Sequence, residues 1–221
     1  MNVKQDTATV KTKVSDFFST YPTRTFDKRE TMLRAEVAIT DVFYILEGRV
    51  SQYDITLTGN EVVVNVFKTG AFFPMSSAIN HTENHYFFEA SSPVTVRVAP
   101  ASDVVEFLQA NPDVAFDLLS RVYRGVDGVL RRMAHLMGGD AKSRLTFELL
   151  NATYRFGEVR ATGAIFVPLK EHDLARQSGL ARETVNRVLQ SLKNAGLVKI
   201  EHGGVTVQST SQLEQTLGTD L

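Results

Sequence analysis

Two runs of apolar residues at helical spacing, separated by a single glycine, constrain this chain more than any other feature. Leu174 and Ala175 fall on the inner face of a short first helix. Gly179 supplies the positive φ that a sharp turn requires, and Leu180 plugs the gap between the helices. Val185, Val188, Leu189 and Leu192 then line one face of a second helix, three and four residues apart. Gly196 stops that helix. Leu197-Val198-Lys199-Ile200 reads as a strand, Glu201-His202-Gly203-Gly204 as a turn and Val205-Thr206-Val207 as the returning strand. Together these residues predict a winged helix-turn-helix between residues 169 and 207.

The opposite face of the second helix opens with Arg182, Glu183, Asn186 and Arg187. Such side chains reach base edges from the first turns of a recognition helix. Between residues 176 and 199, Arg176, Arg182, Arg187, Lys193 and Lys199 stand against Glu183 alone. A phosphate backbone attracts that kind of local charge. A buried three-helix module used for protein contacts has the same apolar pattern but does not need this polar face. The whole chain is formally −1, with 24 Lys and Arg against 25 Asp and Glu. Any affinity for double-stranded DNA must therefore come from this patch and from specific contacts, not from bulk charge.

Upstream, from Phe26 to Ala99, the pattern changes to short β segments. Val42-Phe43-Tyr44-Ile45-Leu46 ends at Glu47-Gly48, and Val50, Tyr53, Ile55 and Leu57 follow. Thr58-Gly59-Asn60 forms a turn, residues 61–67 are valine-rich, and Lys68-Thr69-Gly70 closes that strand. Residues 86–90 and 94–98 read as a final pair around Ser91-Ser92-Pro93. Many short strands between Gly, Asn and Pro turns predict a sandwich or barrel. The first twenty residues are polar, then weakly amphipathic through Val14, Phe17 and Phe18.

Pro100 opens a helical region, and Asn111-Pro112-Asp113 starts a long helix with Asn111 as N-cap. Leu119, Val122, Val126, Val129, Met133 and Leu136 alternate three and four apart, the spacing of a heptad seam. Part of this helix must pack on its own β domain, while the seam points to a parallel homodimer. Two helix-turn-helix units on a two-fold axis read a palindrome. Gly138 and Gly139 permit a bend, and Asp140 caps the next helix, which runs through Arg144, Leu145, Phe147, Leu149 and Leu150. The expected organisation is α+β: a β domain over 1–110, a dimerisation helix over 111–138 with a hinge at 138–140, and a DNA-binding domain over 139–221.

Absences narrow the function further. With no cysteine in 221 residues, disulfides, thiolate metal sites and cysteine-ligated iron–sulfur clusters are excluded from the chain itself. The polar start after Met1 is not an apolar signal region, and no run approaches the roughly 18 apolar residues of a membrane span. A soluble cytoplasmic protein is the expectation. No Gly-rich phosphate loop, no Gly-x-Ser-x-Gly elbow and no His-Glu-x-x-His occurs, so no enzyme is expected.

Taken together, these residues resemble the family of the cyclic-AMP receptor protein and the fumarate-nitrate reductase regulators, over nearly the whole chain. The β-roll signature of that family is visible in Leu46-x-Gly48, Gly59-x-Glu61 and Gly70-x-Phe72. Asn111-Pro112-Asp113 is similar to the start of its dimer helix, and Asp140 falls at its hinge. Arg182-Glu183-Thr184-Val185-x-Arg187 matches the receptor's recognition helix at every position except x, here Asn186. The resemblance implies an N-terminal β-roll of the cyclic-nucleotide-binding jelly-roll kind, and base reading by Arg182, Glu183 and Arg187. It also implies an inverted repeat with TGTGA-like halves. Arginine pairs bidentately with guanine, and a carboxylate accepts from cytosine N4. Thr184 is expected on a phosphate, and Asn186 on an adenine or on backbone. RNA polymerase is an implied partner.

The cassette that holds a cyclic nucleotide departs from the family pattern. Ala71 or Phe72 stands where a glutamate would hold the ribose, and no arginine occurs between Arg49 and Arg97 to meet the phosphate. Gapless matching from Asn111 puts Val129 and Leu130 where the receptor's helix offers hydroxyls to adenine. Cyclic AMP is therefore not the expected effector. A small polar metabolite held by Ser76, Ser77, Asn80 and the long helix is one alternative, and a sensor that has lost its ligand is another. Haem or a metal at His81, Glu83 and His85 competes with plain surface roles for those residues, and no cofactor or metal is assigned. Met75 and the Phe72-Phe73 pair read as core. The rival to a regulator is a ligand-binding β protein whose helical tail does not touch DNA.

Overall fold

The computed structural model describes residues 3–57, 59 and 61–217, with the side chains of residues 3–8 and Leu136 excepted. Thr58 and Asn60 of the expected turn, and residues 218–221, lie outside them. The chain divides into two compact units, Met1–Gly125 and Val126–Leu221.

The first unit begins with helix α1 (Val3–Ser19). Its Val10, Val14 and Phe18 recur at i, i+4 and i+8, so one stripe of the helix is buried. Eight strands follow: β1 (Thr23–Phe26), β2 (Thr31–Leu33), β3 (Asp41–Glu47), β4 (Arg49–Ile55), β5 (Glu61–Lys68), β6 (Phe72–Phe73), β7 (Phe87–Ala90) and β8 (Val94–Pro100). A short helix α2 (Met75–Asn80) interrupts them, and α3 (Ala101–Ala110) closes the set. The strands form two antiparallel sheets, in the orders β1-β8-β3-β6 and β2-β7-β4-β5. Phe26, Phe43, Ile45, Val50, Phe73, Phe88, Val94 and Val96 fill one core. The α1 stripe packs with Val42, Phe72, Val104, Leu108 and Val114 in a second. Phe18 stacks on Tyr44 at 4.7 Å and Phe17 on Phe107 at 4.1 Å.

The strands expected to form a final pair at residues 86–98 do not pair with each other. β7 joins β2 and β4, while β8 joins β1 and β3 in the other sheet. The chain crosses between sheets at Ser91-Ser92-Pro93, where Ser91 N donates to Arg49 O and the Ser92 hydroxyl accepts from Arg49 N. It crosses again at Gly48, between β3 and β4. The two crossings touch. A Cβ on Gly48 would meet Pro93 O at 2.2 Å, and its φ is +93°. Only glycine fits there, which gives Leu46-x-Gly48 its physical meaning.

The long helix α4 (Pro112–Gly138) begins where Asn111-Pro112 placed it, although the Asn111 side-chain amide donates back to Phe107 O. Lys13 pairs with Asp113 at 2.6 Å, and Arg121 pairs with Asp117 and donates to Gly70 O. Leu119, Val122, Val126, Val129 and Met133 of the seam are each about half-exposed.

The second unit holds α5 (Ala141–Phe156), β9 (Glu158–Val159), β10 (Ile165–Val167), α6 (Glu171–Ser178), α7 (Arg182–Asn194), β11 (Val198–Glu201), β12 (Gly204–Val207) and α8 (Thr210–Gln215). Gly138 ends α4, Gly139 N donates to His135 O, and the Asp140 carboxylate caps α5 by accepting from Ser143 N at 2.8 Å. The Ser143 amide holds that carboxyl below its usual range. Leu145, Leu149, Leu150, Val167, Leu174, Val185, Leu189, Leu192, Val198, Val207 and Leu213 form its core. The wing is larger than the sequence indicated: β11 and β12 continue through β10 and β9 as one four-stranded sheet. β9 and β10 are too short for their alternation to register in the sequence.

Candidate nucleic-acid interface

The geometry starts from the turn between α6 and α7. Gly179 sits at φ +65°, and its N–H donates to Ala175 O at 3.0 Å. Ser178 is fully buried, and its hydroxyl closes onto Leu174 O. α6 opens with Lys170 N donating to the Asp173 carboxylate at 3.0 Å. This local set fixes where α7 begins.

α7 is anchored by Val185, Val188, Leu189 and Leu192, all buried. Each such side chain contributes about 1.5–3 kcal/mol of burial. The other face is open: Arg182, Glu183, Asn186 and Arg187 are exposed, and Thr184 is half-buried. Ala181 precedes the helix without a side-chain cap, which leaves its first-turn amides for water or phosphate. Lys193 and Lys199 are exposed on the same unit, and Lys199 leans toward Glu201 at 3.5 Å. Arg176, counted above with the basic patch, instead turns inward and is half-buried, with its Nε and one terminal nitrogen enclosed. Gln190 escaped the sequence reading. It is exposed one turn beyond Asn186 and Arg187, and the same 3.6-residue period would have found it.

The residues expected around an effector lie on two different segments. Ser76, Ser77 and Asn80 share α2; Ser76 and Asn80 are not buried, while Ser77 is buried and donates to Glu83 O. Val129 and Leu130 are exposed on α4. Phe72 and Phe73 are core, as expected. Asn84, which the sequence did not single out, is 1% exposed and ties the loop after α2. Its amide donates to Arg34 O and Tyr86 O, and its carbonyl accepts from Tyr86 N. His81 ends α2 in the left-handed region, and His81 and His85 are exposed. Among the described residues no group of three His, Cys, Asp or Glu lies close enough to hold a metal. No helix among them is long and apolar enough to cross a membrane.

A two-sheet β-roll, a long helix and a winged helix-turn-helix with an open polar recognition face define a class, the DNA-binding transcription regulators. Residues 23–111 match the model of the cyclic nucleotide-binding domain, and residues 143–216 match that of the Crp-like helix-turn-helix domain. The chain belongs to the Crp/Fnr family. It is 20% identical over 207 residues to the cAMP-activated global transcriptional regulator CRP of Pasteurella multocida, covering 93% of this chain and 99% of that one. It is 27% identical over 199 residues to the global nitrogen regulator of Synechocystis, covering 86% of each. The fold superposes on a Crp/Fnr-family transcriptional regulator of Thermus thermophilus with a TM-score of 0.74. That match is at 22% identity, over 90% of this chain and 99% of the other.

Proposed function

We propose that the protein acts as a homodimer that reads an inverted repeat with TGTGA-like halves, without cyclic AMP as its effector. The observation that carries this reading is the open face of α7, where Arg182, Glu183, Asn186 and Arg187 stand together on a helix locked from behind by four buried side chains. Arg182 and Arg187 suit guanine edges, Glu183 suits cytosine N4, and Thr184 suits a phosphate. The apolar stripe Leu119, Val122, Val126, Val129, Met133 is the surface a second copy would cover; Leu136 falls in the same register, its side chain outside the described residues. Gly138, Gly139 and Asp140 serve as the hinge between a sensor over 1–110 with its helix over 111–138 and a DNA-binding domain over 139–221.

The sensor takes a small polar effector near Ser76, Ser77 and Asn80, because the segment between Arg49 and Arg97 brings no arginine to an anionic phosphate. An effector acts here only through its different affinity for two orientations of the recognition helices. RNA polymerase is the downstream partner, and the protein performs no catalysis.

Selection from a random DNA pool with purified protein, at near-physiological salt, tests the reading. Enrichment of a palindrome with TGTGA-like halves is the expected result. Arg187→Ala then weakens binding by about 1–3 kcal/mol and relaxes one position of each half-site, leaving folding intact. If no motif is enriched with or without a small-molecule extract, the DNA reading fails.

A further inference from the structure

Within the DNA-binding unit, one carboxylate is buried in an apolar stretch of α5. Glu148 is 3% exposed, between Phe147 at 6% and Leu149 at 0%. Its Oε1 lies 2.5 Å from Nε of Arg132, in the last third of α4. A terminal nitrogen of the same guanidinium donates to the backbone carbonyl of Gln177, in α6. Three residues along from Arg132, His135 stacks on Phe147 at 4.4 Å. One arginine thus joins three helices. Gln177 stands two residues before Gly179, whose turn sets the start of α7.

A buried ion pair is not required for a stable core, since apolar residues of similar volume serve as well or better. A planar guanidinium adds direction, because its N–H groups leave in a fixed fork and donate well to only one arrangement of two acceptors. We infer that Arg132 and Glu148 are positioning residues for DNA binding: the pair, with the Gln177 carbonyl, holds the helix-turn-helix against the end of the long helix in one of the two orientations the proposed hinge allows. Without it, the unit samples a wider range of angles. A dimer meeting two half-sites at a set spacing must then lose that freedom on binding. The inference rests on the DNA reading above.

The test is the double variant R132M/E148L, which replaces the pair with apolar side chains of similar size. Expected are a melting temperature close to wild type, a Kd for the selected palindrome raised tenfold or more, and an unchanged slope of log K against log salt, because no phosphate contact is lost. R132K keeps a charge beside Glu148 but lacks the fork that reaches Gln177, and a several-fold rise in Kd is expected. Wild-type affinity in the folded double variant overturns the inference. A salt slope shallower by about one overturns it too, by making Arg132 a direct phosphate contact. If the double variant does not fold, R132K decides, and a Kd within twofold of wild type overturns the inference. If wild-type protein binds no duplex, the DNA reading fails separately, and amide exchange across α6 takes over in R132M/E148L, or in R132K if that variant does not fold. Faster exchange over residues 171–178 supports the positioning role, and unchanged exchange overturns it.

Discussion

Glu148 and two glycines show how much a single residue can hold. Burial pushes the Glu148 carboxyl up to about 7 from 4.5, against the opposing pull of Arg132 and Arg155. The folded chain therefore binds a proton that the unfolded chain releases between those values. This contribution to stability is complete below pH 4.5 and is lost as pH rises through 7, amounting to about 3 kcal/mol. Urea unfolding of wild type and E148Q across this range is the check. The stability of wild type relative to E148Q should fall with rising pH, and a flat difference would refute the assignment. Gly48 and Gly179 both have positive φ, but a Cβ on Gly179 enters open space while one on Gly48 meets Pro93 O. G179A should cost about 1–2 kcal/mol through backbone strain alone, and G48A clearly more. Denaturant midpoints of the two variants rank them.

At the scale of elements, α7 and α4 follow different logic. The 3.6-residue period in α7 is written by residues that pack inside one unit, so Val185, Val188, Leu189 and Leu192 could be read as buried from the sequence alone. The period in α4 is equally regular, yet Val122 is 53% exposed and Val129 49% in the single chain. A stripe that regular and that exposed is suited to a partner of the same kind. V126D should convert a dimer to a monomer in sedimentation and abolish tight palindrome binding, while the melting temperature stays near that of wild type. A dimer that survives V126D would remove α4 from the interface. The short strands behave in the opposite way. β6 and β9 are two residues each and are defined only by their neighbours' hydrogen bonds, so no local signal announces them.

For the whole molecule, the consequential feature is the pairing of a cyclic-nucleotide-binding fold with a segment that holds no arginine between Arg49 and Arg97. Pro74 precedes α2, whose first turn carries no acidic residue. Titration calorimetry with cyclic AMP should give no heat at concentrations that saturate the cAMP-activated relatives, and DNA binding should not change on its addition. Micromolar binding would show that another group supplies the missing counter-charge.

The sequence by itself determined the order of modules, the helix-turn-helix and its open polar face, and the start of the long helix. Those depend on short-range periodicity and on residues such as Gly179 and Pro112 whose backbone preferences are intrinsic. Only the tertiary structure decided that β7 and β8 part into different sheets, that Arg176 turns inward, that Asn84 ties a loop, and that Arg132 reaches Glu148 and Gln177. The parting of β7 and β8 and the contacts of Arg132 depend on groups far apart in sequence meeting in the interior. There a polar atom must find a partner, whichever segment supplies it.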